Sequence, residues 1–278
     1  MMKVLMKIFL QAAPRLAFAA ALMTALPPSL RAQFGAPSDL TWGGSTLSLL
    51  PLGSLLLWLK ADYLMTLAPT NAIATWFDAS GLGNNATQSA TNNRPLYMTN
   101  QINGLPAVGF NATNALFLDL PQMFTNETSA EVFVVVKLNN DPPTGSRYGQ
   151  WRFAGTGDIN AFPFTDGVIL DGFCSTLRKS TANPSLALTS WRLYDVTSID
   201  NAWTNRVDAV VLFGTASNTF TNGTGSTMGT ARRLGQSGSS SVYLNGSIAE
   251  VLLYGRILSG AERTNVQNYI TARYGLTL

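Results

Sequence analysis

The sequence contains no histidine and only one cysteine, Cys174. Histidine is the usual general base, the commonest zinc ligand and a member of the standard serine and cysteine triads. Its absence therefore excludes those enzyme classes and the zinc sites that depend on it. A single cysteine also excludes a disulfide framework within the chain. We expect Cys174 to pack in the core beside Phe173, and a bridge to another chain is the alternative.

Charged residues are scarce as well, at 12% of the chain, although the formal net charge is +3. Four of the 18 basic residues and none of the 15 acidic ones lie in residues 1–32, so the rest of the chain has a net charge of −1. No basic run remains there that could follow a phosphate backbone. We therefore expect no nucleic-acid partner.

Residues 1–32 have the pattern of a signal peptide. Basic residues precede the apolar run Leu16–Leu26, and Pro27 and Pro28 end that run before an expected cleavage after Ala32. The run is too short to span a bilayer, which takes about 20 apolar residues, and no later segment is long and apolar enough. We predict a secreted or cell-surface protein, bacterial in type, with no membrane span after the signal is removed.

Short β-like runs alternate with turn-forming residues through most of the chain. Residues 33–54 are rich in Gly, Ser, Pro and Leu and are predicted to be a lead-in segment or linker. Residues 55–278 have the strand and turn spacing of a two-sheet sandwich or barrel. Within them Val132–Val136 is apolar at every position, as in a strand covered on both faces. The predicted strands are Leu55–Ala61, Ile73–Asp78, Ala107–Phe110, Ala115–Leu120, Glu131–Leu138, Gly149–Gly155, Gly167–Leu170, Ser190–Ser198, Arg206–Gly214, Ser241–Gly246 and Ile248–Gly255.

One helix is predicted, near the C-terminal end of the sequence. Ser259 and Glu262 have the spacing of a capping box, and Gly275 is placed to end the helix. We expect an apolar stripe on this helix to cover the edge or end of the sandwich, with binding of a partner as the alternative. The stripe consists of Val266, Tyr269, Ile270 and Tyr274.

Three segments together resemble a known family. They read "LLLWLKADYLMTL", then "WFDASGLGNNATQ" through "RPLYMTNQINGLPAVGF", then "NGSIAEVLLYGRILSGAERTNVQNYITARYGL". They resemble the laminin-G-like, concanavalin A-like lectin–glucanase jelly-roll domains of exported bacterial proteins, over residues 55–276. The resemblance implies an all-β fold of two antiparallel sheets and a role in glycan binding, adhesion or spacing, although some enzymes share the fold.

Two acids of the family pattern are missing from the last segment. The sequence has Gly246-Ser247 where the family often has Gly-Asp, and Tyr254-Gly255-Arg256 where it often has Tyr-Asp-Arg. The alternating Glu and Asp cluster of the glucanases of this fold does not occur either. Five acids stand alone in apolar surroundings in the sequence, and we interpret Glu250 as a rim carboxylate paired with an arginine. These acids are Asp62, Asp119, Glu131, Asp195 and Glu250.

Two clusters of aromatic and arginine residues are the candidate sugar-binding groups. Tyr148, Trp151 and Arg152 lie in "RYGQWRF", and Trp203 and Arg206 lie in "NAWTNR". Aromatic rings stack on the apolar faces of sugars, and arginines bind carboxylates or hydroxyls. Packing inside the core is the alternative for both clusters.

The loop "WFDASGLGNNATQ" has two interpretations. It gathers oxygen ligands of the kind that calcium takes. It also has the composition of a turn, since an Asp side chain can accept hydrogen bonds from following backbone N–H groups and glycines admit positive φ. We favour the turn and retain calcium as the one cofactor that the sequence suggests. The candidate ligands are Asp78, Ser80, Asn84 and Asn85.

The sequence thus predicts an exported, non-catalytic module that binds a polysaccharide or cell-surface glycan, and it predicts that the chain is not an enzyme. A structural or self-assembling cell-surface subunit is the first alternative. A glycoside hydrolase with an unrecognised carboxylate pair is the second.

Overall fold

The computed structural model describes residues 50–154, 160–223, 232–238 and 242–278, together with the backbone of 41–42 and 45–46. The predicted signal peptide lies outside these residues. The chain divides into two compact units, Met1–Leu49 and Leu50–Leu278. In the first unit, strands β1 (Thr41–Trp42) and β2 (Ser45–Thr46) pair antiparallel.

The second unit is a sandwich of two antiparallel sheets. Its strands are β3 (Leu55–Lys60), β4 (Met65–Leu67), β5 (Ile73–Trp76), β6 (Ala86–Thr87), β7 (Leu96–Ile102), β8 (Leu105–Phe110), β9 (Leu118–Leu120), β10 (Ser129–Leu138), β11 (Trp151–Arg152), β12 (Leu170–Asp171), β13 (Lys179–Ser180), β14 (Arg192–Ile199), β15 (Ala202–Val207), β16 (Val210–Thr215), β17 (Arg232–Leu234) and β18 (Gly246–Tyr254).

Eight strands form the larger sheet, in the order β16-β15-β14-β10-β18-β8-β7 with β3 also paired to β18. The first part of β18 pairs with β8 and its second part with β3. Six strands form the smaller sheet, in the order β11-β17-β9-β6-β5-β4, and β12 and β13 form a separate pair. The prediction of an all-β antiparallel sandwich is confirmed.

The main core lies between the two sheets. Strands β10 and β18 supply its centre, and side chains of β5, β9 and β11 meet them from the smaller sheet. Because side chains alternate along a strand, Val132, Val134 and Val136 point into this core while Phe133 and Val135 point to the outer side of the larger sheet. The apolar run therefore has cover on both faces, as predicted.

Helix α1 (Gly260–Tyr274) covers that outer side. The predicted capping box between Ser259 and Glu262 is present, and Gly275 ends the helix with φ of 69°. Val266 and Ile270 are buried in a cluster with residues of β10, β14 and β18. The prediction that the stripe covers an edge or end of the sandwich is wrong, because the stripe packs on the outer face of the larger sheet. The central strands of that sheet are apolar on both faces, and the helix buries the face that the smaller sheet does not cover. Among the described residues, no helix has the length and apolar character needed to cross a bilayer.

The predicted strand Arg206–Gly214 is interrupted by the turn of a hairpin: its first two residues end β15, and residues 210–214 belong to β16. Asp208 and Ala209 both have positive φ, 48° and 66°, and they connect β15 to β16. The Asp208 carboxylate accepts hydrogen bonds from Arg192 Nη1 (2.8 Å) and Leu193 N (2.9 Å). The turn was not predicted because Asp-Ala lacks the glycine that usually marks such a hairpin.

The outcomes for one further predicted strand and for the single cysteine are as follows. The predicted strand Ser241–Gly246 is not formed by its described residues, since Tyr243 makes only an isolated bridge to Gln236 and Gly246 begins β18. Cys174 is fully buried in the main core next to Phe173, where we expected it.

Candidate functional site

The two tryptophans predicted to bind sugar lie in the core. Trp151 and Trp203 are both 0% exposed. Trp151 stacks on Tyr194 with ring centroids 5.4 Å apart, and the Trp203 indole donates a hydrogen bond to the Phe173 carbonyl oxygen (3.2 Å). Neither ring has a face open to a ligand, so their assignment as sugar platforms does not hold in this structure. Strand alternation turns both rings inward.

The other three predicted residues each have different partners in the structure. Tyr148 is buried, and its hydroxyl accepts a hydrogen bond from Asn140 Nδ2 (3.1 Å). Arg152 is buried in the smaller sheet, where Nη1 donates to the Gly238 carbonyl oxygen. Arg206 pairs with Asp195 in the larger sheet at 3.1 Å. The structure therefore does not bring the five candidates together as one site.

The Asp78 carboxylate organises its loop through four hydrogen bonds. Oδ1 accepts from the backbone N–H groups of Trp58 and Ser80, both at 2.9 Å. Oδ2 accepts from the Ser80 hydroxyl (2.6 Å) and from Asn84 N (3.0 Å). A carboxylate offers about four acceptor positions, so these contacts use its capacity.

The two asparagines of the loop also serve the backbone. Asn84 Nδ2 donates to the Leu56 carbonyl oxygen (2.7 Å), and Asn85 Oδ1 accepts from Asp78 N (2.9 Å). The two glycines of the loop have φ of 89° and 77°. Among the described residues, no group of three or more His, Cys, Asp or Glu side chains is arranged to hold a metal ion. The geometry favours the turn over the calcium site.

Glu250 is not at a rim but fully buried beneath α1. Oε1 accepts from Trp58 Nε1 (2.5 Å) and Tyr269 OH (2.8 Å), and Oε2 accepts from Tyr274 OH (2.5 Å). Arg273 Nε lies 3.2 Å from Oε2, so the expected arginine partner is present. Burial raises the pKa of the Glu250 carboxyl, and the Arg273 charge opposes that shift. This network fastens the helix to β18.

Glu131 and Asp195, which are isolated in the sequence, are joined in the structure by Arg263. The guanidinium binds Glu131 through Nε (2.6 Å) and Nη2 (3.1 Å), and Nε lies 3.8 Å from Asp195. Burial, with the nearby charge of Glu131, raises the pKa of Asp195 above its ordinary value. Both carboxyls are buried where α1 begins, so this pair serves the fold and offers no surface to a substrate.

Asp171 is another fully buried acid and lies between the sheets. Its Oδ2 accepts from Tyr194 OH (2.8 Å) and its Oδ1 from Phe173 N (2.9 Å). Asn205 Nδ2 in turn donates to Tyr194 OH (3.2 Å). Burial raises the pKa of Asp171 from 3.8 to about 6, against the opposing effect of these hydrogen bonds.

The raised pKa of Asp171 predicts a pH-dependent stability. The folded state holds this proton more tightly than the unfolded state. The stability that the protonated carboxyl adds is therefore complete below pH 3.8 and is lost as the pH rises through about 6. We expect the free energy of unfolding to fall, through this group, by on the order of 2–3 kcal/mol as the pH rises from 4 to 7. Urea denaturation of the wild type and Asp171→Asn at steps of pH measures this difference. Parallel curves for the two proteins would rule it out.

An open pocket of about 500 Å³ lies at one end of the sandwich. Three loops line it, with residues 141–142, 163–167 and 183–188. The first loop follows β10 and the third precedes β14, and the Leu138 N–H donates to the Leu188 carbonyl oxygen (2.9 Å) where the two meet. We call this the end pocket. Strands of the larger sheet therefore position the first and third loops of the end pocket.

The lining of the end pocket combines apolar and polar groups. Phe164 is partly exposed, Leu186 is 38% exposed, and several prolines complete the apolar part. Asp141, Asp166 and Asn183 are exposed on its walls. The lining is more polar than apolar, and the volume is within the range of typical ligand sites.

The middle loop is held in one conformation by its own hydrogen bonds. Phe164 N donates to the Val168 carbonyl oxygen and Gly167 N to that of Phe164, both at 2.9 Å. Asp166 Oδ1 accepts from Val168 N (2.9 Å), and Asn183 Nδ2 donates to the Asp166 carbonyl oxygen (2.8 Å). The bond from Asn183 joins the middle loop to the third loop. These two walls of the pocket therefore have a defined conformation without a ligand.

The sequence analysis missed the residues of the end pocket. A signal for them exists, since each loop carries proline within three positions of Asp or Asn: "NDPPTG" at 140–145, "FPFTDG" at 162–167 and "ANPS" at 182–185. Such segments predict turns. Nothing in the sequence shows that the three turns meet, because the meeting depends on the pairing of β10 with β14.

No family model and no curated protein matches this chain. Among solved structures, it is similar to the binding domain of botulinum neurotoxin serotype D (13% identity, TM-score 0.54, covering 82% of this chain and 55% of that one). It is also similar to a GH54 α-L-arabinofuranosidase soaked with a cyclic sulfate inhibitor (14% identity, TM-score 0.51, 79% and 59%). A Trypanosoma rangeli sialidase matches at 15% identity and a TM-score of 0.46, over 83% of this chain.

The chain spans about a third of the length of that sialidase. At these identities the similarity shows a shared fold. The prediction that the chain is not an enzyme is contradicted, because the structures that share its β-rich fold include the arabinofuranosidase. The missing glucanase cluster excludes one arrangement of carboxylates and not every enzyme of this fold.

Proposed function

We propose that the Leu50–Leu278 unit is a glycan-binding domain of the concanavalin A-like kind and that the end pocket holds the sugar. The observation that carries this proposal is the pocket itself, about 500 Å³ in volume, with apolar and polar groups on its walls. Two solved structures with a similar fold are consistent with this proposal: one is a toxin binding domain and the other an arabinofuranosidase.

The two kinds of lining match the two kinds of surface on a sugar. The partly exposed ring of Phe164 offers an apolar face for the C–H groups of a pyranose or furanose ring. The carboxylates of Asp141 and Asp166 accept hydrogen bonds from sugar hydroxyls. Polar groups of this kind fix the orientation of a ligand, whereas the apolar part supplies the contact area.

Variants of the pocket wall test this proposal. The purified full chain is screened on a glycan array, and the affinity for the best glycan is measured by calorimetry for Phe164→Ala and Asp141→Ala. Both residues are partly or fully exposed, so we expect folding to be retained and the dissociation constant to rise at least about tenfold. Tyr63→Ala and Asp200→Ala, which change exposed residues outside the pocket, are the matched controls and should leave affinity within about twofold.

The proposal fails if no glycan binds, or if the pocket variants bind as tightly as the two controls. Release of new reducing ends from the bound glycan, measured in the same mixtures, separates binding alone from processing. If sugar is released, the Asp141→Ala variant shows whether the same pocket does the chemistry.

A further inference from the structure

A group of asparagine side chains lies beside the end pocket. Asn139, Asn140 and Asn245 stand where β10 ends and β18 begins, and we call them the amide cluster. Asn139 Nδ2 donates to Asn245 Oδ1 (3.3 Å), and Asn245 Nδ2 donates to Asn140 Oδ1. Asn139 and Asn140 are exposed and Asn245 is half-buried. Tyr148 OH accepts from Asn140 Nδ2 (3.1 Å) and so fastens the cluster to the core.

The amide cluster is continuous with the end pocket. Asn140 directly precedes Asp141, which lines the pocket, and its Nδ2 donates to the Asp141 carbonyl oxygen (2.7 Å). Tyr148, which anchors the cluster, donates its backbone N–H to the carbonyl oxygen of Pro163 on the pocket wall (3.2 Å). A ligand that leaves the pocket on this side therefore meets the amides.

From this continuity we infer that the site takes a chain of neutral sugars, with one unit in the end pocket and at least one more over the amide cluster. The inference rests on the proposed function and names its ligand class. A side-chain amide has two N–H donors and an acceptor oxygen, so it matches hydroxyl groups that both donate and accept. The bonds within the cluster hold the amides in place and engage both N–H donors of Asn140 and of Asn245. One N–H of Asn139 and lone pairs on the amide oxygens are left for sugar hydroxyls.

Charge restricts the sugar class. Among the described residues, those that line the pocket include the carboxylates of Asp141 and Asp166 and no lysine or arginine. A sugar that carries its own carboxylate would be repelled by these two groups, and like charges brought together suppress binding of the wrong partner. The amides add no charge. Neutral sugars are therefore favoured over uronic acids of the same length.

Chain length and charge of the ligand test the inference on the full-length protein. The probes are cello-, xylo-, manno- and arabino-oligosaccharides of one to six units and oligogalacturonides of the same lengths. For at least one neutral series we expect the dissociation constant to fall about tenfold or more from the monosaccharide to the trisaccharide. Oligogalacturonides should bind at least about tenfold more weakly than that series.

Variants of the amide cluster complete the test. Asn139→Ala and Asn140→Ala should weaken trisaccharide binding about fivefold, and by more than they weaken monosaccharide binding. Asn114→Ala, at an exposed asparagine elsewhere, is the control. If monosaccharide and trisaccharide bind equally, if Asn140→Ala behaves as Asn114→Ala, or if oligogalacturonides bind as well, the inference is overturned while the proposed function stands. If none of these probes binds, the inference is overturned, and the glycan array decides whether the proposed function stands.

Discussion

Replacing Glu250 with alanine is expected to lower the free energy of unfolding by about 3–5 kcal/mol. The carboxylate is fully buried and joins β18 to helix α1 through Tyr269, Tyr274 and Arg273. Its removal leaves the hydroxyls of Tyr269 and Tyr274 and the indole N–H of Trp58 without this acceptor, and takes away the charge beside Arg273. Buried polar groups without a partner are costly. Urea denaturation of the variant measures the loss.

Two further variants give reference values for the loss of stability in Glu250→Ala. Glu250→Gln keeps the size and one acceptor oxygen but not the charge, so it should fall between the wild type and the alanine variant. Asp119→Ala removes a carboxylate whose side chain is 41% exposed and which pairs with Arg233 at 3.0 Å. That surface pair should contribute no more than about 1 kcal/mol. A loss for Glu250→Ala as small as for Asp119→Ala would show that the network does not hold the helix.

Replacing Asp78 with alanine is expected to lower the free energy of unfolding by about 3 kcal/mol. The carboxylate is the only side chain that accepts from Trp58 N, Ser80 N and Asn84 N in the described structure. Three backbone donors lose their acceptor together, and water can replace it only at the outer part of the loop. Because Trp58 belongs to β3, the effect reaches the edge of the larger sheet.

Calcium and a matched variant make the Asp78 experiment decisive. Asp200→Ala removes a carboxylate that accepts from one exposed backbone N–H, that of Phe220 at 2.8 Å, and should cost no more than about 1 kcal/mol. If Asp78 organises a turn, its variant is destabilised equally with calcium and with a chelator. A calcium-dependent rise in the melting temperature of the wild type that is lost in Asp78→Ala would restore the metal interpretation.

The parts of the fold that depend on local pattern were predictable from the sequence. Val132–Val136 is apolar at every position and is covered on both faces. Both ends of α1 were predicted, the first from the capping box of Ser259 and Glu262 and the second from Gly275. Both signals lie within a few residues, so no knowledge of distant contacts is needed to recognise them.

The candidate site was not predictable in the same way. Trp151 and Trp203 have the composition of a sugar platform, but strand register decides whether a ring faces ligand or core, and here both rings face the core. Glu131 and Arg263 are separated by 132 positions and form a bidentate pair through the packing of α1 on β10. A sequence that is read locally shows such residues as isolated.

Nuclear magnetic resonance titration of the isotope-labelled full chain with the best neutral oligosaccharide tests the central claim most directly. The claim predicts that the largest shifts of backbone amide signals fall in residues 139–147, 163–167 and 183–188, with the side-chain amide signals of Asn140 and Asn245 shifted by the longer sugars. Shifts confined to other parts of the sandwich, with these loops unchanged at saturation, would contradict it.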